Sequence, residues 1–250
     1  MKISIVTVCF NSADTIESTL QSVACQTYSR IEHIIVDGGS SDGTLEIINS
    51  FPHVSSCISE SDSGIYDAMN KGLALATGDV VCILNSDDFY PNDNVIEEVA
   101  QIFESNSEVA IVLGSVDYVD PADLTRPVRF YSSFNFELWK LRFGICAAHP
   151  GAFIKLSAYE AVGNYKLGYK ISADFEWFVR ALLVHRLSYV KLNKYLVRMR
   201  EGGVSTSGIK SYWVSSNELL RALRDNGIYS NIIFILCRLP VKFYQKFYRD

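Results

Sequence analysis

Two adjacent carboxylates, Asp87 and Asp88, close the apolar run VVCILN in the motif LNSDD. Like charges this close repel, and a divalent cation held between them and a polyphosphate would offset that repulsion. Hard oxygen donors suit Mg²⁺ or Mn²⁺; the alternative is a solvated turn continuing through Pro91 and Asn92. Asp37 ends another apolar run, in VDGGSSDGT, and the glycines after it let backbone turn sharply and approach a ligand closely. The same residues also suit a plain turn with Ser41 or Asp42 capping the next helix. The spacing is not GxGxxG, which argues against a dinucleotide site. Asp174, in SADFEWFVR, opens a helical pattern after a glycine-containing loop. There it can serve as an N-cap or as a general base facing a cleft.

These carboxylates require a scaffold that gathers strand ends. Through the first half, β-branched runs alternate with helical periodicity. Strands are predicted at 3–9, 33–37, near Cys57, at 80–85 and at 109–114. The intervening helices fall at 14–24, opened by the capping-box pair Asp14 and Glu17, at 44–50, at 66–77 with Gly78 as a left-handed closing residue, and at 95–105. This alternation predicts an α/β fold with an open, mostly parallel sheet flanked by helices on both faces. The run at 80–85 has the near-continuous apolar character of a strand buried on both faces. Ligands in such sheets bind at the carboxyl ends of strands, which selects 9–11, 37–42, 60–67 and 85–88. The second half is more aromatic, at 130–143 and 165–178. Its predicted strands lie at 152–155 and 195–200, and its helices at 157–162, 174–183 and 211–225. It is expected to build the other wall of a cleft.

The 250 residues suffice for one large or two unequal domains. A hydrophobic fraction of 48% with only 15 Gly and 6 Pro excludes collagen-like and disordered chains. Net charge is -5, which argues against a nucleic-acid-coating protein. The six cysteines show no CxxC spacing and fit reduced cytosolic thiols better than a disulfide framework or zinc site. MKISIVTVCFN reads as a first strand and not a signal peptide. No apolar run reaches the ~18 residues of a membrane span.

Charge is unevenly placed. From residue 226 onward there are four cations, Arg238, Lys242, Lys246 and Arg249, against one anion, Asp250, leaving 19 basic and 27 acidic residues before it. At ~100° per residue the four cations fall within about 80° of one another on a helix, with aromatic residues between them. Such a tail predicts peripheral membrane contact through residues 228–250, cations toward anionic headgroups. A helix docked on the body, or in a homodimer, is the alternative.

The segments TVCFN (7–11), DGGSSDGT (37–44), DSGIYDAMNKGLALATGD (62–79) and LNSDD (84–88), with HPGAF (149–153) and SADFEW (172–177), occur in an order and spacing that resemble the family 2 glycosyltransferases. The resemblance covers roughly residues 3–205. It is nearest to the branch that builds bacterial O-antigens, capsules and related surface polysaccharides. It implies a GT-A fold, with a nucleotide-sugar-binding half at 1–118, an acceptor-binding half at 119–205, and a C-terminal helical segment at 206–250. It implies that backbone around Thr7 and Asn11 lines a nucleotide pocket, that Asp37 accepts from the base, and that Asp87 contacts the ribose or sugar. It further implies that Asp88, with Asp87, holds Mn²⁺ or Mg²⁺, and that Asp174 deprotonates the acceptor. Asn70 and Lys71 would approach the nucleotide, although Met69 stands where relatives often have Arg. Relatives often carry a metal-binding His after the last core strand. REGGVS (200–205) has none, making His149 a substitute candidate.

The expected reaction is inverting transfer from a UDP-sugar to a saccharide on a polyprenyl diphosphate, at the cytoplasmic face of the inner membrane. Transfer to a polyprenyl phosphate itself is one alternative, and a non-catalytic nucleotide-sugar or carbohydrate-binding protein on the same fold is another. Acceptor specificity is expected around 134–143 and 165–177.

Overall fold

All seven residues of β1 (Ile3–Cys9) are buried, because the strand lies between parallel neighbours on both sides. Those neighbours are β2 (Ile31–Asp37) and β4 (Val80–Ile83), and β3 (Val54–Ser59) extends the parallel set beyond β2. The connections are helical: α1 (Ile16–Ala24), α2 (Thr44–Asn49) and α3 (Ile65–Leu75). The computed structural model describes residues 1–202 and 208–240. Gly203 to Ser205 of the REGGVS segment, and the tail cations Lys242, Lys246 and Arg249, lie outside the described residues.

The parallel arrangement predicted from the first half holds through β3-β2-β1-β4. Beyond β4 the sheet becomes mixed. Strand β8 (Ala152–Lys155) runs antiparallel to both β4 and β6 (Ile111–Asp120). β6 pairs in parallel with the long β9 (Tyr189–Arg200) and forms a hairpin with β7 (Asp123–Tyr131). β9 in turn binds the two-residue β5 (Asp88–Phe89) antiparallel. That short pairing places Asp88 within the sheet, opposite Met199, instead of in a free turn.

Apolar layers cover both faces. One contains β1 side chains Val6 and Val8 with residues of α3, of α5 (Leu156–Val162), of α6 (Ala173–Val179) and of α7 (Gly208–Asp225). The opposite layer joins Ile3, Ile5 and Cys82 to α4 (Val95–Ser105), and a third cluster seats α1 and α2 on Cys9 and Ile35. Leu219, Ala222 and Leu223 of α7, and Ile235 of α8 (Ile232–Leu236), belong to the same layer as Val6. The described part of the 206–250 segment is therefore packed into the body.

Local details differ from the sequence reading. The capping box at Asp14 does not form: α1 starts at Ile16, with Thr15 at its N-cap position and no side-chain cap. Gly78 is not a left-handed helix end, since α3 stops at Leu75 with Ala76 extended. Glycine is required there by close approach, because a Cβ would lie 2.8 Å from the Ser4 nitrogen and 2.9 Å from the Lys2 carbonyl. Arg238 does not share an outward cationic face. It is buried against the hydroxyls of Ser215 and Ser216 on α7, 3.3 and 3.0 Å away.

Glu32 ties β2 to the chain on either side. Its carboxylate accepts from Lys2 Nζ (2.6 Å), Ser4 Oγ (2.5 Å), and the Thr77 amide and hydroxyl (2.9 and 2.7 Å). Burial acts against the charge, but these donors outweigh it and hold the carboxyl at about 2. A carboxyl depressed on folding stabilises above its unfolded value and loses that contribution as pH falls toward the folded one. Stability should therefore fall between about pH 4.5 and 2, and Glu32→Gln should flatten that segment of a urea-midpoint-against-pH curve. An unchanged slope would show that other groups carry the acid limb.

Candidate active site

The carboxyl ends of β1 and β2 are joined by side chains of their own loops. The Asn11 amide donates to Ser40 Oγ (2.7 Å), and Asn11 Oδ1 accepts from the Ser41 amide (3.0 Å), with Asn11 in the left-handed region at φ 49°. Asp37 is fully buried beneath this loop. It accepts from the amides of Gly39 (3.1 Å) and Ser40 (2.9 Å), from the hydroxyls of Ser59 (2.6 Å) and Ser40, and from the Cys9 thiol at 3.6 Å. Burial opposes the charge, yet the Ser40 and Ser59 donors leave the carboxyl below its ordinary value. Five donors around about four lone-pair sites make Asp37 the anchor of the loop. A base could reach it only by displacing one of them. Thr7 is also buried, its hydroxyl 3.0 Å from His33 Nε2, so its side chain lies inside the sheet.

The LNSDD turn is held from two elements. On α1, Thr19 Oγ1 reaches the carbonyls of Ser86 (3.0 Å) and Asp88 (2.7 Å). From the end of β9, the Arg200 guanidinium donates to the Asp87 carbonyl (2.5 Å) and to Ser18 Oγ on α1 (2.7 Å). Within the turn, Asn85 Nδ2 donates to Asp88 Oδ2 (2.9 Å). Asp88 Oδ1 and Asn85 Oδ1 are both buried without a partner. Two orphaned acceptors beside the Asp87 carboxylate form a site that lacks donors and would be completed by a cation. Burial pushes the Asp88 carboxyl well above its usual range, with the Asp87 charge adding to it. Burial also raises Asp87, against the neighbouring Arg200.

His149 is not part of this group. Its Nε2 lies 2.7 Å from the Tyr165 hydroxyl, which also meets Tyr159 at 2.7 Å. Burial pushes the imidazole pKa down despite the Asp174 charge nearby. Among the described residues no group of three or more His, Cys, Asp and Glu could hold a metal ion, and the unpartnered acceptors of this turn are Asp88 Oδ1 and Asn85 Oδ1. Asn70 is likewise engaged elsewhere: its side-chain amide pairs both ways with the Tyr165 backbone (2.8 and 3.0 Å), fastening α3 to the loop ahead of α6. Lys71 pairs with Glu60 at 2.7 Å.

Asp174 lies in the first turn of α6, partly exposed. The Tyr66 hydroxyl sits 3.1 Å from Asp174 Oδ1 and 2.6 Å from the Ile171 carbonyl, its one proton shared between them. The entry to this helix is set from α7. Glu218 accepts from three successive amides, Lys170 (2.6 Å), Ile171 (3.0 Å) and Ser172 (3.0 Å). Periodicity could place Glu218 on a helix but could not show that its partners lie 46–48 residues upstream. Arg200 and Tyr66 escaped the sequence reading for the same reason, whereas Asn85 lies within the strand end 85–88 that it selected.

The mixed α/β sheet flanked by helices has the GT-A fold, which it shares with solved glycosyltransferase structures. The chain matches the description "Glycosyl transferase family 2" over residues 4–160 and belongs to that family. It is 33% identical over 186 residues to an uncharacterized glycosyltransferase of Mycobacterium tuberculosis, covering 73% of this chain and 69% of the relative. It is 31% identical over 200 residues to a PGL/p-HBAD biosynthesis glycosyltransferase of Mycobacterium bovis, covering 77% and 75%. Among solved structures, S. aureus TarS 1-349 with UDP-GlcNAc superposes with a TM-score of 0.71 at 17% identity, covering 98% of this chain and 73% of that one. The mannosyltransferase PcManGT of Pyrobaculum calidifontis, with GDP-Man and Mn²⁺, gives 0.69 at 16%, covering 98% and 72%. In a further TarS crystal structure the chain matched is longer, and this protein spans 40% of it.

Glu218 should prove a positioning group for Asp174. Glu218→Ala removes the acceptor for three amides, and transfer should fall by about tenfold or more with donor KM nearly unchanged. Glu218→Gln, which retains one acceptor oxygen, should recover part of the rate. Equal loss in kcat and donor affinity would mean instead that the site as a whole collapses.

Proposed function

We propose that this glycosyltransferase moves a sugar from a UDP-sugar to a hydroxyl of a lipid-linked saccharide, with inversion at the anomeric carbon, in the synthesis of a bacterial surface polysaccharide or glycolipid. The observation that carries this reading is the pair of buried, unpartnered acceptors Asp88 Oδ1 and Asn85 Oδ1 beside Asp87. Such a group suits a divalent cation and, through it, a diphosphate. A cation bound there supplies counter-charge for the departing nucleoside diphosphate. The UDP-GlcNAc in TarS and the GDP-Man with Mn²⁺ in PcManGT, both on this fold, support a nucleotide-sugar donor and a divalent metal. The PGL/p-HBAD biosynthesis relatives support a surface glycolipid as product. No helix among the described residues is long and apolar enough to cross a membrane, so a lipid-linked acceptor would be met from outside the bilayer.

In this scheme the loop held by Asp37, Asn11 and Ser40 forms the floor of the base pocket, and the LNSDD turn faces the diphosphate. Asp174 accepts the proton of the attacking hydroxyl as the new oxygen–carbon bond forms and the bond to the diphosphate breaks. Tyr66, hydrogen-bonded to Asp174, orients that carboxylate. One in-line displacement inverts the anomeric centre.

Asp174→Asn should abolish transfer, by about 10³-fold or more, while nucleotide binding by calorimetry stays near the wild-type level. Near-normal turnover would remove Asp174 from the base role. Asp88→Asn should abolish the metal dependence of donor binding. A metal titration that superposes on the wild-type curve would refute the cation site. Both are read by UDP release with Mn²⁺ or Mg²⁺ and a synthetic lipid-diphosphate-linked acceptor.

A further inference from the structure

The helical residues at the end of the described chain are oriented contrary to an aqueous surface. Arg238, the one charged residue between Asn231 and Pro240, is only 3% exposed and faces α7. The outward side carries Ile233 at 70% exposure, Leu236 at 42% and Leu239 at 40%. A surface helix normally does the reverse, burying its aliphatic side chains and leaving its cation in water. Ile235 alone among the residues of α8 is buried in the core.

The same helix packs on a second segment through Phe234. Phe234 stacks on Phe143 with ring centroids 4.7 Å apart, and Phe143 meets Trp139 edge-on at 5.6 Å. Trp139 belongs to the 3-10 turn Leu138–Phe143 and is 59% exposed. Ser230 Oγ donates to the Arg142 carbonyl at 2.6 Å, tying the approach to α8 to that turn. Tyr229, 69% exposed, lies against Phe234 at 6.3 Å. Two stretches about 90 residues apart are thus packed together, and each carries exposed apolar side chains: Trp139 on one, Tyr229, Ile233 and Leu236 on the other.

Cations accompany it. Lys140 lies over the Trp139 ring at 5.7 Å and Arg142 is exposed on the same turn. The acid of that turn, Glu137, is paired with Lys191 at 2.8 Å. The sequence after Pro240 also carries Lys242, Lys246 and Arg249, which lie outside the described residues. Large apolar and indole side chains rimmed by cations match the boundary between acyl chains and anionic headgroups.

We propose that the ridge formed by Trp139, Ile233 and Leu236 docks the enzyme on an anionic lipid surface, inserting these side chains at the acyl boundary. A second copy of the chain would offer apolar cover but would bring the Lys140 and Arg142 cations against their own copies. An anionic bilayer satisfies both requirements. Docking of this kind would hold the cleft at the depth where a lipid-linked hydroxyl lies. In that respect it rests on the proposed acceptor, but the binding itself requires neither donor nor acceptor.

The test is flotation of the full chain with vesicles of phosphatidylglycerol and phosphatidylcholine, against phosphatidylcholine alone, with no substrate present. Wild type is expected to float with the anionic vesicles. The triple variant Trp139→Ser, Ile233→Ser, Leu236→Ser should partition about tenfold or more weaker while keeping its far-ultraviolet dichroism. Brominated phosphatidylcholine mixed into the anionic vesicles should quench wild-type tryptophan fluorescence, and Trp139→Phe should remove most of that quenching while still binding. This second measurement holds even if the triple variant misfolds. Equal flotation of wild type and a folded triple variant, or absence of quenching, would overturn the proposal. So would a dimer in light scattering that the triple variant breaks without any vesicle binding. Because no sugar transfer is read, these outcomes are independent of the Asp174 and Asp88 assignments.

Discussion

A carboxylate buried with one oxygen unpartnered is costly, and Asp88 is such a group. Its neighbours keep it there. The β5–β9 pairing places it in the sheet, Thr19 and Arg200 hold the backbone of the turn, and Asn85 satisfies one carboxyl oxygen only. A free turn would relax by rotating the carboxylate into water. Held in this way, the turn keeps two acceptors without donors, and burial, with the Asp87 charge added, raises the proton affinity of Asp88 against the opposing pull of Asn85 and Arg200.

The other strand ends show the opposite electrostatic solution. Asp37 and Glu32 are also carboxylates on β2, but each is surrounded by donors, and both are held below the ordinary value despite burial. These two act structurally, one closing the loop after β2 and the other fastening the start of the sheet. Along one sheet, donor count separates carboxylates fully engaged by their neighbours from those left short of partners, Asp88 and, on β6, Asp117.

Contacts from α3 and α7 together fix the mouth of α6. Glu218 on α7 arranges the backbone ahead of α6, Asn70 on α3 grips the same loop, and Tyr66 touches Asp174. The C-terminal helices are therefore part of the site's support as well as of the proposed lipid-facing ridge. A shift of α7 would be transmitted to Asp174 through three amides.

Much of this was legible in local pattern. Hydrophobic periodicity located β1 to β4 and the helices between them, because burial on one or both faces imposes a repeat that neighbouring residues display. The strand-end rule then singles out Asp37, Asp87 and Asp88 from spacing alone. The short β5 and the antiparallel insertion of β8 carry no such repeat, since their geometry comes from partners far along the chain. The same reason explains the roles of Thr7, Asn70 and His149, whose side chains proved committed to His33, Tyr165 and again Tyr165. It also explains Arg238, whose helical spacing fits a cationic face although its side chain turns inward to Ser215 and Ser216. The sequence by itself determined the family, the parallel half of the sheet and the acidic residues at its edge, because these depend on residue type and spacing. Only the tertiary structure decided which acids lack donors and which way the last helix faces, because each depends on groups tens of residues away that folding alone brings into contact.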